Sequence, residues 1–314
     1  MAKILFLNHS AKHCGVYQYG LRLYTILKTT PDIQYIYKEI NTLQEYNTVL
    51  VTDLFDAIIY NYHASTMRWL TSNTIQTRVI NIGIPHESPA SLFHIICEID
   101  PTQKNRSNYY VLPRPIFENC TYDITTSSST IKQFITNYTD TDIPIFGSFG
   151  FGFRNKGFDK IIRLVNEQYD NAIIKLIITH PTFYADPNEA FRIGTECANI
   201  PVKSGIKVLI THEFFEENEI LSFLHSNTMN IFLYDTMNGR SISSVIDYAL
   251  SVKKPIGISD SSMFRHIYSD KLCLYKTPIK DCLNNTAELE KALLENSNSN
   301  LLTVFSKLIK DNVK

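Results

Sequence analysis

Between residues 206 and 266 short apolar runs alternate with helical patterns: IKVLITHEFFEENEILSFLHSNTMNIFLYDTMNGRSISSVIDYALSVKKPIGISDSSMFRH. The runs at 208–210, 231–234 and 256–258 are continuously apolar, as strands covered on both faces must be. Helical patterns at 218–225 and 241–252 separate them. This stretch therefore predicts a parallel sheet under helices. The strand at 231–234 runs into Asp235-Thr236-Met237-Asn238-Gly239-Arg240 and then opens a Ser-rich helix with Ser241 as its cap. Backbone N–H groups and the positive end of a helix would then face the crevice at the carboxyl edge of the sheet, where they bind an anion. The second half of the chain is thus expected to take a phosphorylated ligand.

The same alternation runs through the rest of the sequence. Residues 3–7 read as a first strand, followed by a polar loop at 8–14 and a helix over 16–28. Further strands are expected at 34–37, 57–61, 78–81 and 94–97. The pattern fades into loops between 100 and 129, resumes as a helix at 131–138, and reaches a polar stretch ending at Pro144 that reads as a linker. It restarts at 145–149, with a helix at 157–167, a strand at 173–179 and a helix at 188–199. Two amphipathic helices, 287–295 and 301–310, follow the 206–266 stretch. A length of 314 residues favours two domains. The expected fold class is α/β, with two Rossmann-like doubly wound parallel sheets facing a cleft. The expected domains are 1–142 and 143–314, the last helix being able to pack back on the first domain.

Several function classes are disfavoured. A formal charge of −1 supplies no field that would hold a polyanion. Six cysteines without a C-x-x-C pair fit reduced thiols. The first residues turn polar too soon for a signal peptide, and no apolar run approaches the ~18 residues of a membrane helix. A soluble, cytoplasmic protein is the expectation. His9, His13 and Cys14 match no zinc spacing. Asp140 and Asp142 form a D-x-D in the linker and read as a solvated turn. No P-loop or G-x-S-x-G elbow appears.

Four segments resemble the GT-B glycosyltransferases, in particular the retaining group that uses nucleotide-sugar donors. Phe149-Gly150 with Asn155-Lys156-Gly157-Phe158-Asp159-Lys160 looks like that group's "G-R-…-K-G" element, whose lysine contacts the donor diphosphate. Residues 211–226, with His212 near their start, look like the segment framing the donor base. Residues 247–259, with Ala249-Leu250 and Lys254-Pro255, look like its "E-A-…-G-K-P-V" helix and strand. Gly15-Val16-Tyr17-Gln18-Tyr19-Gly20 looks like the turn after its first strand. The sequence departs from the family at Phe151, in the place of the arginine, and at Arg240 and Tyr248, in the places of two glutamates. The resemblance implies transfer of a sugar from a nucleotide-diphosphate sugar to an acceptor hydroxyl, with retained configuration and no metal or other cofactor. The acceptor is left open among a glycan, a lipid-linked sugar and a modified nucleic acid. Alternatives are a nucleotide-sugar-binding protein without turnover, another enzyme such as an epimerase, and a transferase acting on modified DNA bases.

The residues themselves assign roles. Lys156 is a point-charge phosphate ligand, and Arg154 can fork onto an oxygen pair. Gly239, Arg240, Ser241, Ser243 and Ser244 offer N–H and hydroxyl donors, with Gly15 and Gly150 at close-approach turns and Asp235 available to sugar hydroxyls. In the first half, His86, Glu87 and His63 follow apolar strands, which places them at strand ends. They are the candidates for acceptor or catalytic contact.

Overall fold

The structure, a computed structural model, describes residues 2–88, 91–181, 186 and 188–313. The chain begins β1 (Ala2–Asn8), α1 (Gly15–Leu27), β2 (Ile33–Glu39), α2 (Leu43–Thr52), β3 (Ala57–Tyr62), β4 (Ile80–Pro85), β5 (Ile95–Glu98), β6 (Tyr109–Val111) and α3 (Ser129–Thr136). It continues β7 (Ile145–Phe151), α4 (Phe158–Gln168), β8 (Asn171–Thr179), α5 (Glu189–Ala198), β9 (Gly205–Thr211), α6 (Glu217–Ser226), β10 (Met229–Phe232), α7 (Val245–Ser251) and β11 (Ile256–Ile258). Three helices follow: α8 (Ile279–Cys282), α9 (Thr286–Glu295) and α10 (Asn298–Asn312). The strands form two parallel sheets, ordered β2-β1-β3-β4-β5-β6 and β11-β10-β7-β8-β9.

The chain divides into two compact units. Unit 1 runs to Ile116 and resumes at Glu295; unit 2 is 117–294. The boundary expected at 142/143 therefore moves to 116/117. The reason is α3, which buries Ile131 and Ile135 in the core of unit 2. Leu301, Phe305, Leu308 and Ile309 of α10 are buried in one cluster with Leu23, Ile26 and Leu27 of α1.

Period-2 alternation decides which face each strand residue covers. In β1, Ile4 and Phe6 enter the core under α1 and α10, while Leu5 and Leu7 enter the opposite core, with Tyr46 of α2. Both faces are covered, which is why the strands read as unbroken apolar runs. The start of α2 is fixed by a capping box: Thr42 accepts from the Glu45 amide and Glu45 from the Thr42 amide. In unit 2, α4 packs with α5, and α6 packs with both α3 and α7.

Several element boundaries differ from expectation. The strand expected at 78–81 begins at Ile80, because the Asn81 side chain donates through Nδ2 to the carbonyl of Gln76 and keeps that segment in a turn. The strand at 231–234 ends at Phe232. The helix expected at 241–252 spans Val245–Ser251 only.

Candidate functional site

Open α/β sheets bind ligands beyond the strand carboxyl ends, where the order reverses. In unit 2 that reversal lies between β7 and β10, and the loops after both strands meet there. The loop after β7 makes a 3-10 turn at Arg154–Lys156 and enters α4 through Gly157, which is left-handed at φ 63. A Cβ on Gly157 would stand 2.1 Å from the Leu233 carbonyl oxygen, so the two loops touch where no side chain fits. The Asp235 amide donates to the Asn155 carbonyl at 2.8 Å. The hydroxyls of Ser259 and Ser261, after β11, donate to the carbonyls of Tyr234 and Asp235. Lys156 is laid over this seam, its ammonium 3.9 Å from the ring of the buried Tyr234. The attraction between a cation and an aromatic face holds the ammonium at this place. Gly150 lies below, where a Cβ would be 3.4 Å from the Tyr234 hydroxyl.

Other expected donor residues are placed differently. Arg154 turns to Glu196 in a two-pronged ion pair at 2.8 Å, so its fork is already filled. Lys160 takes Asp235, which leaves that carboxylate paired rather than set for sugar hydroxyls. Ser241 does not cap a helix, because α7 begins four residues later and Ser244 stands at its N-cap without a side-chain bond. The Ser243 amide is bonded to the Met263 carbonyl. Gly239, at φ 75, and Arg240 lie in an exposed turn. His212 donates through Nδ1 to the Ile178 carbonyl and packs against Phe191. Asp140 and Asp142 are exposed in the turn after α3.

In unit 1 the order reverses between β1 and β3, and the last inward residues there are Asn8 and Asn61. Both are fully buried. Asn61 Nδ2 donates to Asn8 Oδ1 (2.9 Å) and to the Val16 carbonyl (2.7 Å). Asn8 Nδ2 donates to the Tyr17 carbonyl and the Tyr37 hydroxyl. Gly20 of α1 sits directly on this pair, since a Cβ there would come within 2.3 Å of Asn61 Nδ2.

His86, just past β4, is buried with Nε2 2.7 Å from Asn61 Oδ1. That oxygen can only accept, so Nε2 carries the hydrogen. Burial holds the His86 ring far below its ordinary value, at about 3, with the Arg114 charge adding to the effect. His86 is thus a neutral hydrogen-bond partner. Its ring meets Tyr19 edge-on at 4.9 Å, and the buried Arg114 guanidinium lies over the same Tyr19 at 4.9 Å. Glu87 is exposed and left-handed at φ 49, a strained setting for a non-glycine residue. His63 Nδ1 accepts from the Ser65 amide in its own turn. Gly15 is the exposed first residue of α1. The sequence reading missed Asn8, Asn61 and Arg114; a polar residue closing an apolar strand was the available signal.

Replacing Asn61 with leucine leaves the buried His86 Nε2–H without its acceptor and removes the bond to the Val16 carbonyl. The expected loss is about 3 kcal/mol from unit 1. Trp69, the one tryptophan, lies in this unit and reports it by fluorescence in urea. An unchanged midpoint would remove the network from the account of stability.

No protein-family model and no curated protein matches this sequence. Solved structures do. Anabaena Alr3699/HepE in complex with UDP-glucose superposes with a TM-score of 0.67 at 12% identity, over 99% of this chain and 100% of that one. A glycosyltransferase from Rickettsia africae gives 0.65 at 11% identity, over 100% and 99%. An alpha-glucosyltransferase in complex with UDP gives 0.54 at 10% identity, over 100% of both chains. Likenesses of 10–12% identity show the fold, and the fold they show is that of the GT-B glycosyltransferases.

Proposed function

We propose that this protein is a glycosyltransferase that moves a sugar from a nucleotide-diphosphate sugar to an acceptor hydroxyl, with retention of configuration. The observation that carries the reading is the Lys156 ammonium over Tyr234 at the β7/β10 crevice. There it can meet the charge that develops on a departing diphosphate, and a preorganised cation stabilises that charge without rearrangement. The Gly157 turn brings backbone close to the same place. Retention is supported by the resemblance to the retaining group and by the likeness to an alpha-glucosyltransferase.

Unit 1 takes the acceptor in this reading. His86 acts by hydrogen bonding, because its neutral ring is fixed by Asn61, and the exposed Glu87 and half-buried His63 supply further polar groups at the strand ends. No bound metal takes part. A cytoplasmic setting is supported by the six unbridged cysteines.

The test is release of nucleoside diphosphate from UDP-glucose and other nucleotide sugars, with mixed acceptors and excess chelator. UDP-glucose comes first because a similar structure holds it. Lys156→Ala is expected to weaken nucleoside-diphosphate binding more than tenfold, over ~1.4 kcal/mol, with the fold intact. Equal affinity of variant and wild type in calorimetry would reject the site; activity restored only by manganese would reject the metal-free reading.

A further inference from the structure

One side of α10 is buried in the core of unit 1 through Leu301, Phe305, Leu308 and Ile309. Beside it, Thr303, Ser306, Lys307 and Lys310, spaced i, i+3, i+4 and i+7, form a polar stripe along the same helix. The stripe lines a cavity of about 430 Å³, which Thr30 and Pro31, just past the end of α1, also line. Cavities of that size hold small molecules. Thr30 and Pro31 lead into the first residues of β2, so the cavity lies at the amino edge of the parallel sheet. That edge is opposite the one where Asn8 and Asn61 close their strands, and the cavity is separate from the crevice there.

The lining limits what can bind. Lys307 and Lys310 are exposed, and neither makes an ion pair among the described residues. Asp311 lines the same cavity, so two ammoniums against one carboxylate leave an excess of one positive charge. Such an excess suits a ligand with a single anionic group and is too small to hold a polyanion. Hydroxyls supply the rest. Thr303 Oγ1 donates to the Ser299 carbonyl at 2.8 Å, which leaves its lone pairs to accept. Thr30 is 9% exposed, and its buried hydroxyl has no hydrogen-bond partner among the described residues. Buried hydroxyls are ordinarily bonded, and a polar group in the cavity would satisfy this one. Pro31 and the half-buried Leu302 add apolar surface, which suits the C–H face of a sugar ring.

We propose that this cavity is a second binding site, taking a sugar that carries one phosphate or carboxylate group. Lys307 and Lys310 hold the anion, while Asp311 and the hydroxyls of Thr30, Thr303 and Ser306 bond the hydroxyls of the ring. The site uses neither Lys156 nor His86, so it stands whether or not the transferase reading holds.

Calorimetry of the full chain, in wild type and in Lys156→Ala, tests it with glucose 6-phosphate and glucuronate, against glucose and inorganic phosphate. At least one acidic sugar is expected to bind saturably in both proteins, at least tenfold more tightly than glucose or phosphate. Which of the two binds separates a phosphate site from a carboxylate site. Lys307→Gln together with Lys310→Gln should weaken that binding at least tenfold. Both lysines are exposed, so the core side of α10 is untouched. Asp311→Asn should narrow the preference for the acidic sugar over inorganic phosphate. The proposal is overturned if neither acidic sugar binds, if Lys156→Ala abolishes the binding, or if the lysine pair changes nothing. Inorganic phosphate binding as tightly as the acidic sugar, or an unchanged preference in Asp311→Asn, would overturn the sugar assignment.

Discussion

Gly157→Ala is expected to remove about 4 kcal/mol from the stability of unit 2. Two effects add. The left-handed backbone at φ 63 costs an L-residue ~1–2 kcal/mol. The new methyl would also stand 2.1 Å from the Leu233 carbonyl oxygen, an atom of the backbone that cannot swing aside. Overpacking of that kind typically costs a further ~1–3 kcal/mol. Gly157→Asn separates the two, because asparagine enters the left-handed region readily but brings the same Cβ. If the carbonyl contact dominates, asparagine should rescue little. Circular dichroism follows the loss, while Trp69 fluorescence from unit 1 should shift far less. A wild-type urea midpoint for Gly157→Ala would mean that the Leu233 loop gives way freely, and that the seam under Lys156 is soft.

Acid should weaken unit 1 well before its carboxylates titrate. His9 and His86 are held neutral in the native state at about 4 and about 3, chiefly by burial. Unfolded, each ring protonates near its ordinary 6.5. Below 6.5 the unfolded state therefore binds more protons, so stability present above that pH is lost as pH falls toward the native values. The slope is about 1.4 kcal/mol per pH unit for each ring, on the order of 5 kcal/mol for the pair between pH 6.5 and 4. Urea melts followed by Trp69 at pH 7, 6, 5 and 4 measure it. His9→Gln should flatten the slope by roughly half. A stability flat from pH 7 to 5 would show that these rings titrate freely in the native state.

The architecture was legible because parallel strands buried on two faces must be apolar throughout, and helices between them must be one-sided. The loop after β7 was legible for a related reason: Lys156 and Gly157 sit between a strand and a helix in sequence as in space. Partners distant in sequence were not legible. Nothing near Arg154 announces Glu196, 42 residues on, and nothing near Asn8 announces Asn61. The unit boundary was missed for the same reason, since the amphipathic pattern of α3 does not say which core its apolar side joins. Ser241 shows the limit of cap signals: a serine before an apolar run fits a helix start at several positions, and the Ser243–Met263 bond decides among them.

The placement of α10 also sets an order of events during synthesis. Unit 2 is one continuous segment, whereas unit 1 needs Leu301, Phe305 and Leu308 to cover the sheet face that β1 and α1 begin. At ~5–20 residues per second, roughly 10–40 s separate the emergence of the first sheet from that of the helix that completes its core. During that interval Ile4, Phe6, Leu23 and Leu27 lack part of their apolar cover. A nascent chain arrested before α10 should therefore recruit hold-type chaperones through its oldest residues rather than its newest.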